Sequence, residues 1–158
     1  MAVKVSDALR TAIMFTGSTK SRLDNGFLYL FSGTQPTSAE DAANGTLLAV
    51  FSIDGLGVTG LTVEAGDNAG EIKKTAAETW QGTGLADGTS RWFRFNRLNT
   101  SETATRAEAI AAAGGTVERI DGGVGTSGTE VIAASVAIAL GAPLTIDTMV
   151  IRLPAALS

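Results

Sequence analysis

The stretch TVERIDGGVGTSGTEVIAASVAIAL, residues 116–140, decides the fold class. Its extended segments are short, and glycine pairs and a Thr-Ser-Gly turn separate them. The run that follows, TIDTMVIRL at 145–153, approaches strand alternation: Ile146, Thr148, Val150 and Arg152 oppose Thr145, Asp147, Met149 and Ile151. Short runs broken by repeated reversals fit a mostly antiparallel fold better than a series of βαβ units. Pro154 falls just after the last strand.

The same pattern extends toward the N-terminus. After Asn25-Gly26, FLYLF at 27–31 reads as a strand of aromatic and aliphatic residues. GTQPTSAEDAANG at 33–45 is a polar, Ala-rich connection in which Pro36 holds the preceding residue extended. TLLAVFSI at 46–53 restarts the strand pattern, Asp54-Gly55 marks a turn, and Val58–Val63 reads as the next extended segment before the break at Gly66-Asp67-Asn68. Trp80 precedes a loop, QGTGLADGTS, and Arg91-Trp92-Phe93-Arg94-Phe95 follows it as a strand. There Arg94 shares the face of Trp92, while Arg91 and Phe93 take the other. One face is expected to line the core and the other to offer a protein interface, where Trp and Arg supply large directional contacts. The competing expectation makes both Trp80 and Trp92 core residues.

Residues 99–113 permit a short helix or an ordered loop. At the N-terminus, Ser6 is positioned to cap a helix in which Leu9, Ala12 and Ile13 recur at helical spacing, ended by Gly17 and Ser18. A helix this short is marginal alone, so it should dock on the main fold or on a neighbour. The fold expected is therefore mainly β: a compact antiparallel β-sandwich or β-barrel-like domain (25–158) carrying a short N-terminal helix or arm (1–24).

Composition narrows the function classes. The 158 residues are 44% hydrophobic and only 18% charged, a balance that favours a packed core and tilts toward surfaces that contact protein. With 12 basic and 16 acidic residues and no basic block, electrostatic capture of nucleic acid is not expected. No run approaches the roughly 20 apolar residues that span a bilayer, and the N-terminus carries no secretory pattern, so a soluble, untargeted chain is expected.

There is no His and no Cys, which removes two common nucleophile and metal-ligand types and any disulfide. Glu40-Asp41, the strongest local carboxylate pair, falls in a surface loop, where solvation is its expected role. DGGVGTSG resembles a phosphate cradle only superficially, lacking both GxxxxGK[ST] and the full GxGxxG fingerprint. Asp54, Asp67, Asp87 and Asp121 adjoin Gly or Asn and read as turn residues before calcium ligands. Tyr29 and the scattered Ser residues lack a His partner for an activated hydroxyl. No catalytic, cofactor-binding or metal-binding residue is assigned, and no enzymatic activity is expected.

Four successive segments carry a resemblance: VKVSDALRTAI at 3–13, YLFSGTQPTSAEDAANGTLLAVFSI at 29–53, WQGTGLADGTSRWFRF at 80–95 and RIDGGVGTSGTEV at 119–131, with LPA at 153–155 completing it. In this order they make the chain similar to small tailed-bacteriophage virion structural proteins. The resemblance touches nearly the full length. The Ala-rich stretch 107–113 and the extended glycine turns around Gly122 and Gly123 depart from it.

The resemblance implies a non-catalytic particle subunit, synthesised in the host cytoplasm and built into the virion. A capsid decoration or cement protein is favoured over a tail or neck component. The implied partners are the major capsid protein or other virion proteins, together with further copies of the same chain in a trimer or another cyclic assembly. In such proteins N-terminal arms and sheet edges make subunit contacts. By extension Val5, Leu9 and Ile13 are candidates for one contact, and Trp92 with Arg94 for another. A carbohydrate-binding host-attachment module, with Trp80 and Trp92 as stacking surfaces, is the alternative from a different class.

Overall fold

In a computed structural model, residues 2–152 are described. Pro154 and the LPA segment therefore lie outside the described residues. The elements run β1 (Lys4–Val5), α1 (Asp7–Phe15), α2 (Thr19–Leu23), β2 (Phe27–Phe31), β3 (Leu47–Ser52), β4 (Val63–Ala65), β5 (Glu71–Lys74), β6 (Trp80–Gly84), β7 (Gly88–Thr89), β8 (Trp92–Asn96), α3 (Glu102–Ile110), β9 (Arg119–Gly125), β10 (Val131–Ala133), β11 (Ala137–Ile138) and β12 (Pro143–Arg152). The chain is mainly β, and its sheet closes on itself.

Seven strands make the ring, in the order β9, β8, β2, β3, β6, β12, β10 and back to β9. Strand direction cannot alternate all the way round a ring with an odd number of members, so one pair must run parallel. That pair is β9 with β10, through Val124 opposite Val131 and Gly125 opposite Ile132. A parallel pair ordinarily needs a crossover of a dozen or more residues. Here the connection is only 126–130, and the pairing is held to two positions. Glu130 secures the seam: its carboxylate accepts the Gly123 N–H at 2.8 Å, and its carbonyl accepts the Val150 N–H at 2.8 Å. The expected antiparallel character holds at every other step of the ring.

Alternation sorts the side chains. Leu28 and Leu30 of β2, Phe93 and Phe95 of β8, and Ile120 and Val124 of β9 enter the barrel core with Phe51, Trp80, Ile146 and Met149. The N-terminal residues join the same core: β1 pairs with β9, and Leu9 of α1 and Leu23 of α2 are fully buried in it. Ser6 fixes that junction, its hydroxyl accepting both the Leu9 N–H at the start of α1 (3.2 Å) and the Arg119 N–H of β9 (3.0 Å).

Two expectations are corrected. The segment after Trp80 was expected to be a loop, yet Trp80–Gly84 is the strand β6, paired on both sides. Its glycines answer to close packing: a Cβ on Gly82 would lie 2.2 Å from the Val50 carbonyl oxygen, and one on Gly84 2.0 Å from that of Ala139. The extended segment expected at Val58–Val63 is instead a loop as far as Gly60; Leu61 makes an isolated antiparallel bridge with Gly26, and β4 starts at Val63. Residues 99–113 take the helical option, with Ser101 capping α3 through the Ala104 N–H.

Candidate contact surface

One cross-strand row on the outside of the barrel organises the molecular surface. It runs Lys4, Asp121, Arg94, Tyr29, Val50, Thr83, Pro143, each opposite the next on the neighbouring strand. The first half of this row lies beneath the chain's own cover, and the second half is open.

The cover consists of α3 and the connection 33–45, joined by the Ala43 N–H to the Ile110 carbonyl and the Ala113 N–H to the Glu40 carbonyl, each at 2.8 Å. Beneath it Phe27, Tyr29, Phe31, Trp92 and Ala109 form a second apolar cluster outside the barrel core. Phe31 and Trp92 stack with centroids 4.5 Å apart, and the Trp92 indole N–H is shared by the Ser32 and Asn44 carbonyls. Arg94 and Asp121, both fully buried, form a bidentate pair: Nε to Oδ1 and Nη2 to Oδ2, each 2.7 Å. The remaining Arg94 nitrogen donates to the Ala109 carbonyl of α3 (2.9 Å) and the Asp41 carbonyl of the connection (3.1 Å). One guanidinium thus ties barrel, helix and loop together.

Burial dominates the titration of this layer. It pushes the Asp121 carboxyl up against the opposing pull of Arg94, and it pushes Tyr29 far above the ordinary phenol value. Burial, with Arg94 beside it, brings Arg119 down to about 10.

On the open half, the loop Asp54–Thr59 stands over the barrel wall as a ridge. Asp54 shapes it by accepting the Ser52 hydroxyl (2.7 Å) and the N–H groups of Leu56 (3.1 Å), Val58 (3.4 Å) and Thr59 (3.2 Å). Partial burial pushes the Asp54 carboxyl up, but these bonds outweigh it and hold it below the usual carboxylate value. The ridge carries Leu56 and Val58 outward, 82% and 78% exposed. A groove of about 270 Å³ lies on one side of Leu56, with Val50, Thr83 and Leu85 beneath it and Glu102 and Arg106 of α3 as its far wall. Another, of about 510 Å³, lies toward β12 and is lined by Gln81, Thr83 and Pro143–Thr145. Leu56 lines both grooves, and Val58 is the second exposed apolar side chain of the ridge.

The residues expected to make contacts are placed differently. Leu9, Trp92 and Arg94 are fully buried within the chain, and Val5 and Ile13 are half-buried against the barrel core. Trp92 and Arg94 share one face of β8 as expected, but α3 and residues 33–45 already occupy it. The same burial removes Trp80 and Trp92 as stacking platforms for sugar: both rings are fully buried, and the Trp80 N–H donates to Glu78 at 2.8 Å. On α1 the exposed apolar side chains are Met14 and Phe15, beyond Ile13.

Neither protein-family models, nor curated proteins, nor solved structures match this chain. Among the described residues no group of three or more Asp or Glu side chains is placed to hold a metal ion, and no helix is long and apolar enough to cross a membrane. Asp121, expected in a turn, is corrected: it sits inside β9 as the partner of Arg94. Asp54 fulfils its turn role, and that role was the available signal for the ridge. An Asp followed by Gly-Leu-Gly-Val is suited to accept its own loop amides, as Asp54 does, and the Leu and Val of that loop are exposed.

Proposed function

We propose that this chain is a non-catalytic structural subunit of a tailed-phage particle, held in place through the Leu56 ridge. The braced exposure of Leu56 and Val58 carries the reading. A side chain that a loop holds rigidly outward loses little further freedom on docking, so its buried area converts more fully into affinity. The ordered sequence segments that resemble virion proteins supply the particle as the setting. Repetition around a symmetric shell or ring allows each such contact to be modest.

Capsid decoration is favoured over a tail or neck position, with the major capsid protein or another virion protein as partner and a trimer as one permitted arrangement. Electron microscopy of purified native particles tests the proposal. Density for this chain on the outer capsid at threefold or quasi-threefold positions is expected, a neck or tail ring would move it to the other location, and absence from mature particles would overturn it. Leu56→Asp with Val58→Asp should strip the chain from particles. Both side chains are exposed, so the isolated protein should keep its stability within about 0.5 kcal/mol per substitution.

A further inference from the structure

The buried layer beneath α3 contains a second guanidinium whose binding edge is unused. Arg119 is fully buried on the outer face of β9, directly opposite Asn96 of β8, which is also fully buried. Its Nη1 donates to the Ala111 carbonyl at 3.1 Å. Its Nε and Nη2 have no partner among the described residues, and neither do Nδ2 and Oδ1 of Asn96. Nε and Nη2 form one edge of the guanidinium, the same edge with which Arg94 grips the Asp121 carboxylate. A free fork of this kind has the geometry of an anion receptor.

Charge points the same way. Arg94 and Arg119 share the layer with a single fully buried carboxylate, Asp121, which Arg94 already takes on both oxygens. Lys4, opposite Asp121, adds positive charge and donates to the Pro36 carbonyl. The other carboxylates that act on Arg119 are Glu40 and Glu108. Glu40 accepts the N–H groups of Asp7 and Gly115, each at 2.6 Å, and Glu108 accepts from the Asn99 amide at 2.8 Å. Arg119, with its pKa near 10, stays protonated at neutral pH. A buried cation is expected to be paired.

We infer that Arg119 and Asn96 form an enclosed site for one small monovalent anion of chloride size, bound by Nε and Nη2 of Arg119 and Nδ2 of Asn96. Full enclosure selects a halide over a phosphate or an organic acid. A water molecule would satisfy the donors but would add no negative charge to the carboxylates of Asp121, Glu40 and Glu108, whose attraction burial and Arg94 already outweigh. This site is independent of whether the Leu56 ridge docks a partner.

The test is thermal and urea unfolding of the full chain at constant ionic strength, with sodium chloride progressively replacing sodium gluconate, whose anion is too large to enter. Binding to the folded state alone should raise the apparent folding equilibrium constant about 100-fold when chloride reaches 100 times its Kd. Arg119→Met should abolish that dependence. Identical stability in the two salts, or an equal chloride effect in Arg119→Met, overturns the site. If that variant does not fold, bromide-grown crystals of the unaltered protein decide: an anomalous peak within hydrogen-bonding distance of Arg119 Nε and Nη2 supports it, and bromide elsewhere or nowhere rejects it.

Discussion

Replacing Arg94 by Met tests whether a single buried pair holds the outer layer on the barrel. The substitution deletes both 2.7 Å bonds to Asp121, the two bonds to the Ala109 and Asp41 carbonyls, and the guanidinium that lies over the Trp92 ring, 5.3 Å from its centroid, while Met keeps much of the side chain's aliphatic volume. Breaking a buried ion pair at one end costs about 3–5 kcal/mol, because the remaining charge stays buried. At about 2–4 °C per kcal/mol for a chain of this size, the midpoint should fall by roughly 6–20 °C. The loss should depend on pH in a definite direction. Burial already pushes the Asp121 carboxyl up, and without Arg94 it rises further, leaving Arg119 and Lys4 as the cations that face it. A carboxyl whose folded pKa lies above its unfolded value contributes stability that is fully present below about pH 3.9 and is lost as pH rises through the folded value. The variant should therefore come closest to the parent in mild acid and lose up to about 1.4 kcal/mol per pH unit above it. Arg94→Met with Asp121→Leu removes both charges and should recover most of the loss. Urea unfolding of the parent, single and double variants from about pH 4 to about pH 8 measures all three effects. A loss at neutral pH well below the expected 3–5 kcal/mol, no relief in acid, or a double variant no more stable than the single would refute the reasoning.

Tyr29→Phe removes a buried hydroxyl that has no partner among the described residues. An unmet buried hydroxyl costs about 1–3 kcal/mol, so the variant should match or exceed the parent in urea unfolding at neutral pH. It should also resist alkali better. Burial holds the Tyr29 pKa above its unfolded value, so the stability it contributes is present below about pH 10 and lost as pH rises beyond that, a loss that Phe lacks. Asp54→Ala should release the ridge by deleting its bonds to Ser52 and to three loop amides, costing about 1–2 kcal/mol and accelerating amide exchange at Leu56, Val58 and Thr59. In the parent the same loosening should appear in acid: the folded Asp54 pKa is depressed, so its contribution is present above about pH 3.9 and lost as pH falls through the folded value.

Much of the barrel was legible because side-chain period survives in the sequence. FLYLF coincides with β2, and RWFRF yields the correct two faces for β8. The closure of the sheet was not legible, because ring size and its parallel seam depend on pairings between distant strands. Glycine misled at two places for one physical reason. In β6 and β9 it makes room for a neighbour rather than a reversal: the Val50 and Ala139 carbonyls at Gly82 and Gly84, and the Phe93 ring, 2.6 Å from a Cβ placed on Gly122. A turn reading of Asp-Gly-Gly then hid Asp121 as the partner of Arg94. The identity of what meets the Trp92–Arg94 face was equally hidden, since the polar composition of 33–45 gives no sign that it folds back over that face.

That cover also determines where another protein can dock. β2 is apolar on both faces, Leu28 and Leu30 inward and Phe27, Tyr29 and Phe31 outward, so it requires packing on both sides, which α3 and 33–45 provide. Across the barrel, β6 and β12 alternate, with Trp80, Ile146 and Met149 inward and Thr83, Pro143 and Thr145 outward and exposed, so that wall needs no second layer. A wall that is complete without a cover can accept a partner without any part of the chain being displaced. The Leu56 ridge stands over this wall, braced by Asp54 through bonds that come wholly from residues 52–59. Docking there would cost little reorganisation, whereas a contact through Trp92 and Arg94 would first require the Arg94–Asp121 layer to open.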